Sequence, residues 1–252
     1  MRITLLQTAL VWEKPGANRR RLAEKLETLS GHTDLVLLPE MFTTGFSMNA
    51  GALAEPMDGP TVQWMQEQAG QLGAALCGSF ICRENDAFFN RLLFVRPGGD
   101  FSVYDKKHLF KLAGEHEHYT PGSRQVAVEW MGWRIRPLVC YDLRFPEWAR
   151  NQPEAPYDLL LYVANWPERR AHHWRTLLPA RAVENQAYVA ALNIVGADGN
   201  GHAYAGDSAV IDFNGQPLAQ LHGHEGVVTV PLERNPLLDF RQKLPFLADM
   251  DA

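Results

Sequence analysis

The sequence predicts an α/β protein in which strands alternate with covering helices, and three observations carry that expectation. Apolar runs of strand length recur along the chain, among them Leu35 to Pro39 and Leu159 to Ala164, all far short of the ~20 residues that a membrane-spanning helix needs. Between them lie stretches whose apolar residues repeat at helical spacing. With 252 residues, 46% hydrophobic and 21% charged, the chain is long enough to bury ~70 to 75% of its unfolded surface. No linker, repeat or low-complexity stretch divides it, so residues 1–252 read as one domain.

The elements follow in order. Ile3 to Leu10 reads as a first strand rather than a signal peptide, because Met1 to Trp12 lacks a charged leader and a small-residue cleavage site. A helical stretch near Asn18 to Leu29 precedes a second strand, Asp34 to Leu38. The next helix is expected over Pro60 to Leu72. Asp58 can cap its start, Pro60 suits a first turn, Gly73 can close its end, and Val62, Met65, Ala69 and Leu72 share one face. Ala74 to Ile81 and Arg91 to Val95 are strands, and Gly98-Gly99 joins the latter to Phe101 to Tyr104 as a hairpin. The polar stretch Asp105 to Arg124 breaks the pattern, and a loop of that length in a compact domain is usually functional or disordered. The apolar run Ile135 to Cys140 restores the alternation, followed by Leu159 to Val163, a helix of about Ala171 to Gln186, and Tyr188 to Val195. That helix is expected to bury Leu177, Leu178, Ala182 and Val183. Asn214-Gly215 is a hairpin signal between Ala209 to Phe213 and Pro217 to Gln220.

A formal charge of -5 gives no electrostatic footprint for nucleic acid, and no basic amphipathic stretch suggests a membrane surface, so a small-molecule partner is expected. The cysteines, Cys77, Cys82 and Cys140, are odd in number and form no CxxC pair. That argues against a disulfide framework and for a reducing cytoplasm.

Cys140 ends an apolar run and opens the turn Tyr141-Asp142-Leu143-Arg144-Phe145-Pro146. Two readings of it stand: a small buried apolar residue, as most free cysteines are, or a nucleophile held rigidly at the edge of a sheet where reacting groups gather. Glu40, directly after Leu35-Val36-Leu37-Leu38-Pro39, has the same strand-end placement, against the commoner fate of a solvated loop carboxylate. Lys106 is either one of a surface lysine pair with Lys107 or a placed cation. Glu115, in Gly114-Glu115-His116-Glu117-His118, is either loop polarity or a second carboxylate. In an extended segment His116 and His118 would share a side, but zinc needs three or four protein ligands and none is indicated elsewhere, so no metal is assigned. A GxSxG elbow, a phosphate loop and a dinucleotide fingerprint are all missing.

Leu38-Pro39-Glu40 with Gly45-Phe46, the Tyr104-x-Lys106-x-His108-Leu109 segment, and Cys140-Tyr141-Asp142-Leu143-Arg144-Phe145-Pro146-Glu147 together resemble the nitrilase superfamily of carbon-nitrogen hydrolases. Glu115 with Pro121-Gly122, Ala164-Asn165-Trp166-Pro167, and Ala180 to Gln186 continue the resemblance in order over nearly the whole chain. Within that superfamily the chain is most similar to the omega-amidase branch, whose members hydrolyse the terminal amide of 2-oxoglutaramate and 2-oxosuccinamate.

The resemblance implies a four-layer αββα sandwich, a homodimer, no cofactor, and a catalytic set of Glu40, Lys106 and Cys140 with Glu115 in support. Asp105 and Lys107 depart from the arginine and aliphatic residue common in that family, but counting back from His108 selects Lys106. In an extended segment the two lysines would point to opposite sides. The mechanism so implied has Glu40 as general base, a lysine ammonium favouring the thiolate, and Lys106 with the Tyr141 N–H as oxyanion donors. Arg144 is a candidate for a substrate carboxylate, against a structural pair with Asp142 or Glu147. Arg181 is expected to be structural, paired along its helix with Glu184 or Asn185. Phe42, Phe46, Tyr141 and Trp166 are candidates to line a small pocket. A nitrilase, or an amidase for N-carbamoyl or peptide-like compounds, would use the same three groups. A binding protein on the same fold would have no need of them.

Overall fold

In a computed structural model that describes residues 1–249, two six-stranded sheets lie face to face, each covered by helices on its outer side. The first half of the chain supplies β1 (Arg2–Gln7), α1 (Pro15–Glu27), β2 (Leu35–Leu37), the short α2 (Ala50–Leu53), α3 (Pro60–Leu72), β3 (Ala75–Glu84), β4 (Ala87–Val95) and β5 (Phe101–Asp105). The second half supplies α4 (Glu115–His118), β6 (Val128–Trp130), β7 (Trp133–Val139), α5 (Pro146–Ala149), β8 (Leu159–Val163), α6 (Ala171–Asn185) and β9 (Tyr188–Leu192). The small ribbon of β10 (Val195–Ala197) and β11 (Ala203–Ala205) comes next, then β12 (Ala209–Ile211), β13 (Pro217–Gln220), β14 (Gly226–Pro231) and α7 (Arg234–Lys243). The sheet orders are β14-β1-β2-β3-β4-β5 and β13-β12-β9-β8-β7-β6. This is the expected αββα sandwich.

The alternation of side chains along each strand builds the layers. Ile3 and Leu5, Leu35 and Leu37, Ala75 and Cys77, and Leu92 and Phe94 face the second sheet and pack into one core with Ile135, Leu159 and Leu161. Their neighbours Leu6, Val36, Leu38, Leu76, Leu93 and Val95 point the other way, onto Leu22 and Leu26 of α1 and Val62, Met65 and Ala69 of α3. Both faces are buried, so these strands read in sequence as nearly continuous apolar runs. Cys77 and Cys82 are packed and free, as expected.

Several local expectations need correction. Helix α1 begins at Pro15, ahead of Asn18, whose side chain is instead buried and bonds Val11 and the Thr43 carbonyl. Helix α3 has the expected bounds, and Gly73 closes it at φ 66°, but Asp58 is not its cap. Glu55 takes that place, its Oε2 accepting the Thr61 N–H at 2.6 Å from outside the usual capping spacing. On α6 the buried face is Trp174, Leu178, Arg181, Ala182 and Asn185, while Leu177 is half-buried and Val183 is 53% exposed. Arg181 and Asn185 displace the apolar pair because their polar atoms find partners inside: Arg181 donates to the Leu143 carbonyl at 2.6 Å and pairs with Glu184, and Asn185 bonds Asn151. Asp105 to Arg124 contains two helical turns, Lys111–Ala113 and α4, so His116 and His118 do not lie on an extended segment.

Candidate active site

β2 and β3 run parallel, β3 to β4 and β4 to β5 antiparallel, so β2 and β5 end at the same edge of the first sheet. In the second sheet β7 and β8 are parallel neighbours. Glu40 lies just beyond the end of β2, Lys106 immediately after β5, Cys140 immediately after β7 and Asn165 just beyond β8. Glu40, Lys106 and Glu115 are 0–1% exposed and Cys140 is 9% exposed.

Lys106 sits between two carboxylates. Its Nζ donates to Glu40 Oε1 at 2.9 Å and to both oxygens of Glu115 at 2.9 Å. Lys107, one residue on, turns away and lies over the Trp148 ring. Glu40 Oε2 accepts the Asn165 N–H at 2.8 Å, while Asn165 Nδ2 donates to the Glu40 carbonyl at 2.8 Å. Asn90, on β4, donates to Glu40 Oε1 at 2.8 Å and to Glu115 Oε1 at 3.3 Å. The Phe110 N–H donates to Glu115 Oε2. Each oxygen of the two carboxylates is therefore held in a fixed direction, as a buried charge requires.

The protonation states follow from this packing. Burial works against the Lys106 charge, but Glu115 and Glu40 outweigh it and hold its pKa above the ordinary lysine value. Burial pushes the Glu115 carboxyl up, with Lys106 pulling it down and Glu40 pushing it further up. Burial also raises the Cys140 thiol well above its ordinary value; the Glu40 charge adds to this, and Lys106 offsets it only in part. The expected pull of the lysine on the sulfur is present but loses. Burial and the neighbouring Glu40 thus favour the protonated sulfur.

Cys140 adopts φ 43°, and so does Met41 directly after Glu40. A side chain in this left-handed region costs on the order of 1 to 3 kcal/mol and persists where the surroundings impose it. Asp142 supplies that constraint. Its Oδ2 accepts from the Val139 N–H at 3.1 Å and the Tyr104 hydroxyl at 2.6 Å, and its Oδ1 faces the His108 N–H and Nδ1 at 3.0 and 2.8 Å. Arg181 fixes the same turn through Leu143.

A pocket of about 620 Å³, its open mouth included, stands over these groups and is lined by Cys140, Lys106 and Asn165. Phe46, Tyr141, Trp166 and Arg144 line it too, as the sequence leads one to expect. Phe42 does not: it is fully buried in the helix-side core against Trp64. Arg144 pairs with neither Asp142 nor Glu147; its guanidinium lies over the Trp166 ring at 4.7 Å and contacts His173 Nδ1 at 3.0 Å. Residues that sequence reasoning passed over are Asn90, in mid-strand, the side chain of Asn165, and Arg169, Arg170, His202 and Tyr204 at the pocket wall. Asn165 carried a signal, since it follows an apolar strand as Glu40 does. Among the described residues, no group of three or more His, Cys, Asp or Glu side chains is arranged to hold a metal ion.

Comparison with known proteins adds an independent line. The carbon-nitrogen hydrolase family profile matches residues 2–242. The chain is 49% identical to the omega-amidase YafV of Escherichia coli K12, over 100% of this chain and 97% of that one. It is 34% identical to the 2-oxoglutaramate amidase of Bacillus subtilis, over 98% and 96%. A crystal structure of XC1258 from Xanthomonas campestris, a CN-hydrolase superfamily protein with an arsenic adduct in its active site, superposes with a TM-score of 0.98 at 50% identity, covering 100% of this chain and 97% of that one.

Proposed function

Since this chain belongs to the carbon-nitrogen hydrolase family and is a hydrolase of non-peptide carbon-nitrogen bonds, we propose that it is a cysteine-dependent amidase for the terminal amide of small 2-oxo dicarboxylic acid monoamides, 2-oxoglutaramate and 2-oxosuccinamate. One observation carries the mechanism: a buried ammonium shared by two carboxylates beside a buried thiol at the foot of an open pocket. The substrate class rests on the similarity to omega-amidase and 2-oxoglutaramate amidase and on the cationic wall of the pocket.

A carboxamide is a weak electrophile with a poor leaving group, so the site must deliver a nucleophile, an oxyanion donor and a proton. Glu40 accepts the Cys140 proton as sulfur attacks the carbonyl carbon, which avoids any need for a standing thiolate in a buried site. Negative charge then develops on the carbonyl oxygen, where Lys106 Nζ and the Tyr141 N–H are the donors. Glu40 returns the proton to nitrogen, the carbon-nitrogen bond breaks, ammonia leaves and a thioester remains. Water, deprotonated by Glu40, adds to the thioester, and the carboxylic acid is released with the thiol restored. Glu115 holds Lys106 in place and keeps it charged. Phe46, Tyr141 and Trp166 form the walls for the substrate chain, and Arg144 takes its distal carboxylate.

Ammonia release from 2-oxoglutaramate, 2-oxosuccinamate, glutamine, asparagine, a simple nitrile and an N-carbamoyl amino acid, with Cys140→Ala as control, tests this reading. Cys140-dependent turnover confined to the two 2-oxo amides is the expected result. Faster turnover of the nitrile or the carbamoyl compound would move the substrate class, and release unaffected by Cys140→Ala would overturn the mechanism. The family match over residues 2–242 supports one catalytic domain for the whole chain. A homodimer and a cytoplasmic site complete the proposal, supported by the superfamily resemblance and by three unpaired cysteines; sedimentation and cell fractionation test them. No helix among the described residues is long and apolar enough to cross a membrane.

A further inference from the structure

The wall of the pocket is unusual in its charges. Arg144, Arg169 and Arg170 line it together with Lys106, and no aspartate or glutamate lines it. Glu40 and Glu115 neutralise Lys106, but Arg144 and Arg170 form no ion pair with a carboxylate among the described residues. Arg170 is half-buried and firmly placed. Its carbonyl accepts the Trp166 Nε1–H at 2.8 Å, and its guanidinium lies 5.0 Å from the centre of the Phe110 ring. Arg144 is placed by Trp166 and His173. Arg169 is exposed and also unpaired among the described residues, but Arg144 and Arg170 are the two uncompensated guanidinium groups of the pocket wall that aromatic faces, rather than anions, hold.

We propose that Arg170 acts with Arg144 as a two-guanidinium clamp on the 2-oxo acid end of the substrate, and that this clamp excludes 2-amino acid amides such as glutamine. A planar carboxylate with an adjacent ketone presents three acceptor oxygens in one plane, and two planar forks of N–H donors match that array where one cannot fill it. Glutamine places an ammonium where the ketone oxygen would be. That group has no acceptor carboxylate on the wall and meets two cations, and like-charge contact of this kind costs several kcal/mol. Burial, then Arg169, pulls the pKa of Arg170 below the ordinary arginine value, with Arg144 adding to the pull. A bound anion would relieve that repulsion.

The inference rests on the 2-oxo amide reading, and steady-state kinetics on 2-oxoglutaramate, butanamide and glutamine separate the two. In the wild-type enzyme kcat/KM for glutamine should lie ~100-fold or more below that for 2-oxoglutaramate. In Arg170→Gln, kcat/KM for 2-oxoglutaramate should fall roughly 10- to 150-fold relative to that for butanamide, as for loss of hydrogen bonds to a charged group, with most of the change in KM. Arg170→Lys should recover part of the loss, because it restores the charge without the fork. Equal loss on both amides would mean a structural role and overturn the clamp, as would an unchanged preference in Arg170→Gln. A wild-type enzyme that ignores 2-oxoglutaramate while hydrolysing other amides would overturn the function itself and the clamp with it.

Discussion

Replacing Lys106 by methionine removes the cation that Glu40 and Glu115 share while keeping most of the volume of its stem. Two ion pairs at 2.9 Å are lost, each on the order of 6 kcal/mol at an effective dielectric of ~20 before desolvation is subtracted. The net cost of stripping one partner from a buried pair is smaller, about 3 to 5 kcal/mol, because the lysine no longer has to be desolvated. At ~2 to 4 °C per kcal/mol for a chain of this size, the melting temperature should drop by roughly 6 to 20 °C. The two carboxylates left facing each other would then share a proton, which raises the folded pKa of one of them above its unfolded value. A carboxyl with a raised folded pKa favours the folded state at low pH and loses that contribution as pH rises through the raised value. The deficit of Lys106→Met should therefore be larger at pH 8 than at pH 5. The double variant Lys106→Met/Glu115→Gln removes the surplus charge, so thermal unfolding should show it more stable than Lys106→Met alone. Amide turnover should stay at least ~100-fold down in both, since neither has the oxyanion donor. A single variant as stable as wild type, or a double variant no more stable than the single, would refute the electrostatic account. Activity returning in the double variant would refute the donor role of Lys106.

Two further measurements follow from the same geometry. Because burial and Glu40 hold the Cys140 thiol well above its ordinary pKa, the protonated form dominates at neutral pH, and alkylation of the resting enzyme by iodoacetamide should accelerate steadily with pH through the neutral and into the alkaline range. A pH-independent plateau between pH 6 and 8, followed by peptide mass spectrometry at Cys140, would instead indicate a standing thiolate. Gly122 donates its N–H to the Lys106 carbonyl at 2.9 Å, and a Cβ there would lie 2.1 Å from the Asp105 carbonyl oxygen. Gly122→Ala should therefore cost about 1 to 3 kcal/mol in chemical denaturation and lower kcat through displacement of Lys106; an alanine variant of wild-type stability and rate would show that the loop yields freely.

Much of the framework was legible because it is local or periodic. β2 and β8 announce themselves as apolar runs, since both their faces are buried, and α3 is bounded by Pro60 and Gly73, whose backbone preferences act within one turn. Elements stabilised by distant partners were not. β14 owes its place to β1, more than two hundred residues away in sequence, and α7 anchors through Arg234 and Arg241 to the buried Asp158. Val183 resembles a core residue in any helical projection, yet Arg181 takes the inner face because the Leu143 carbonyl waits there for a donor.

The site divides in the same way. Placement of Glu40, Lys106 and Cys140 at strand ends is a property of the sequence, because apolar runs stop where the sheet edge meets polar chain. Asn90 is indistinguishable in sequence from any polar residue on a strand, and only the place of β4 in the sheet, with β3 between it and β2, and the turn that carries Glu115 make it a bridge between two carboxylates. Arg170 belongs to an ordinary charged turn until Phe110 and Trp166 close around it. The charge states are the furthest from the sequence. Which chemical groups are present was decided by the order of residues; whether the thiol keeps its proton and the lysine its charge was decided by tertiary packing, because both depend on how completely water is excluded and on which opposite charge lies within a few ångströms.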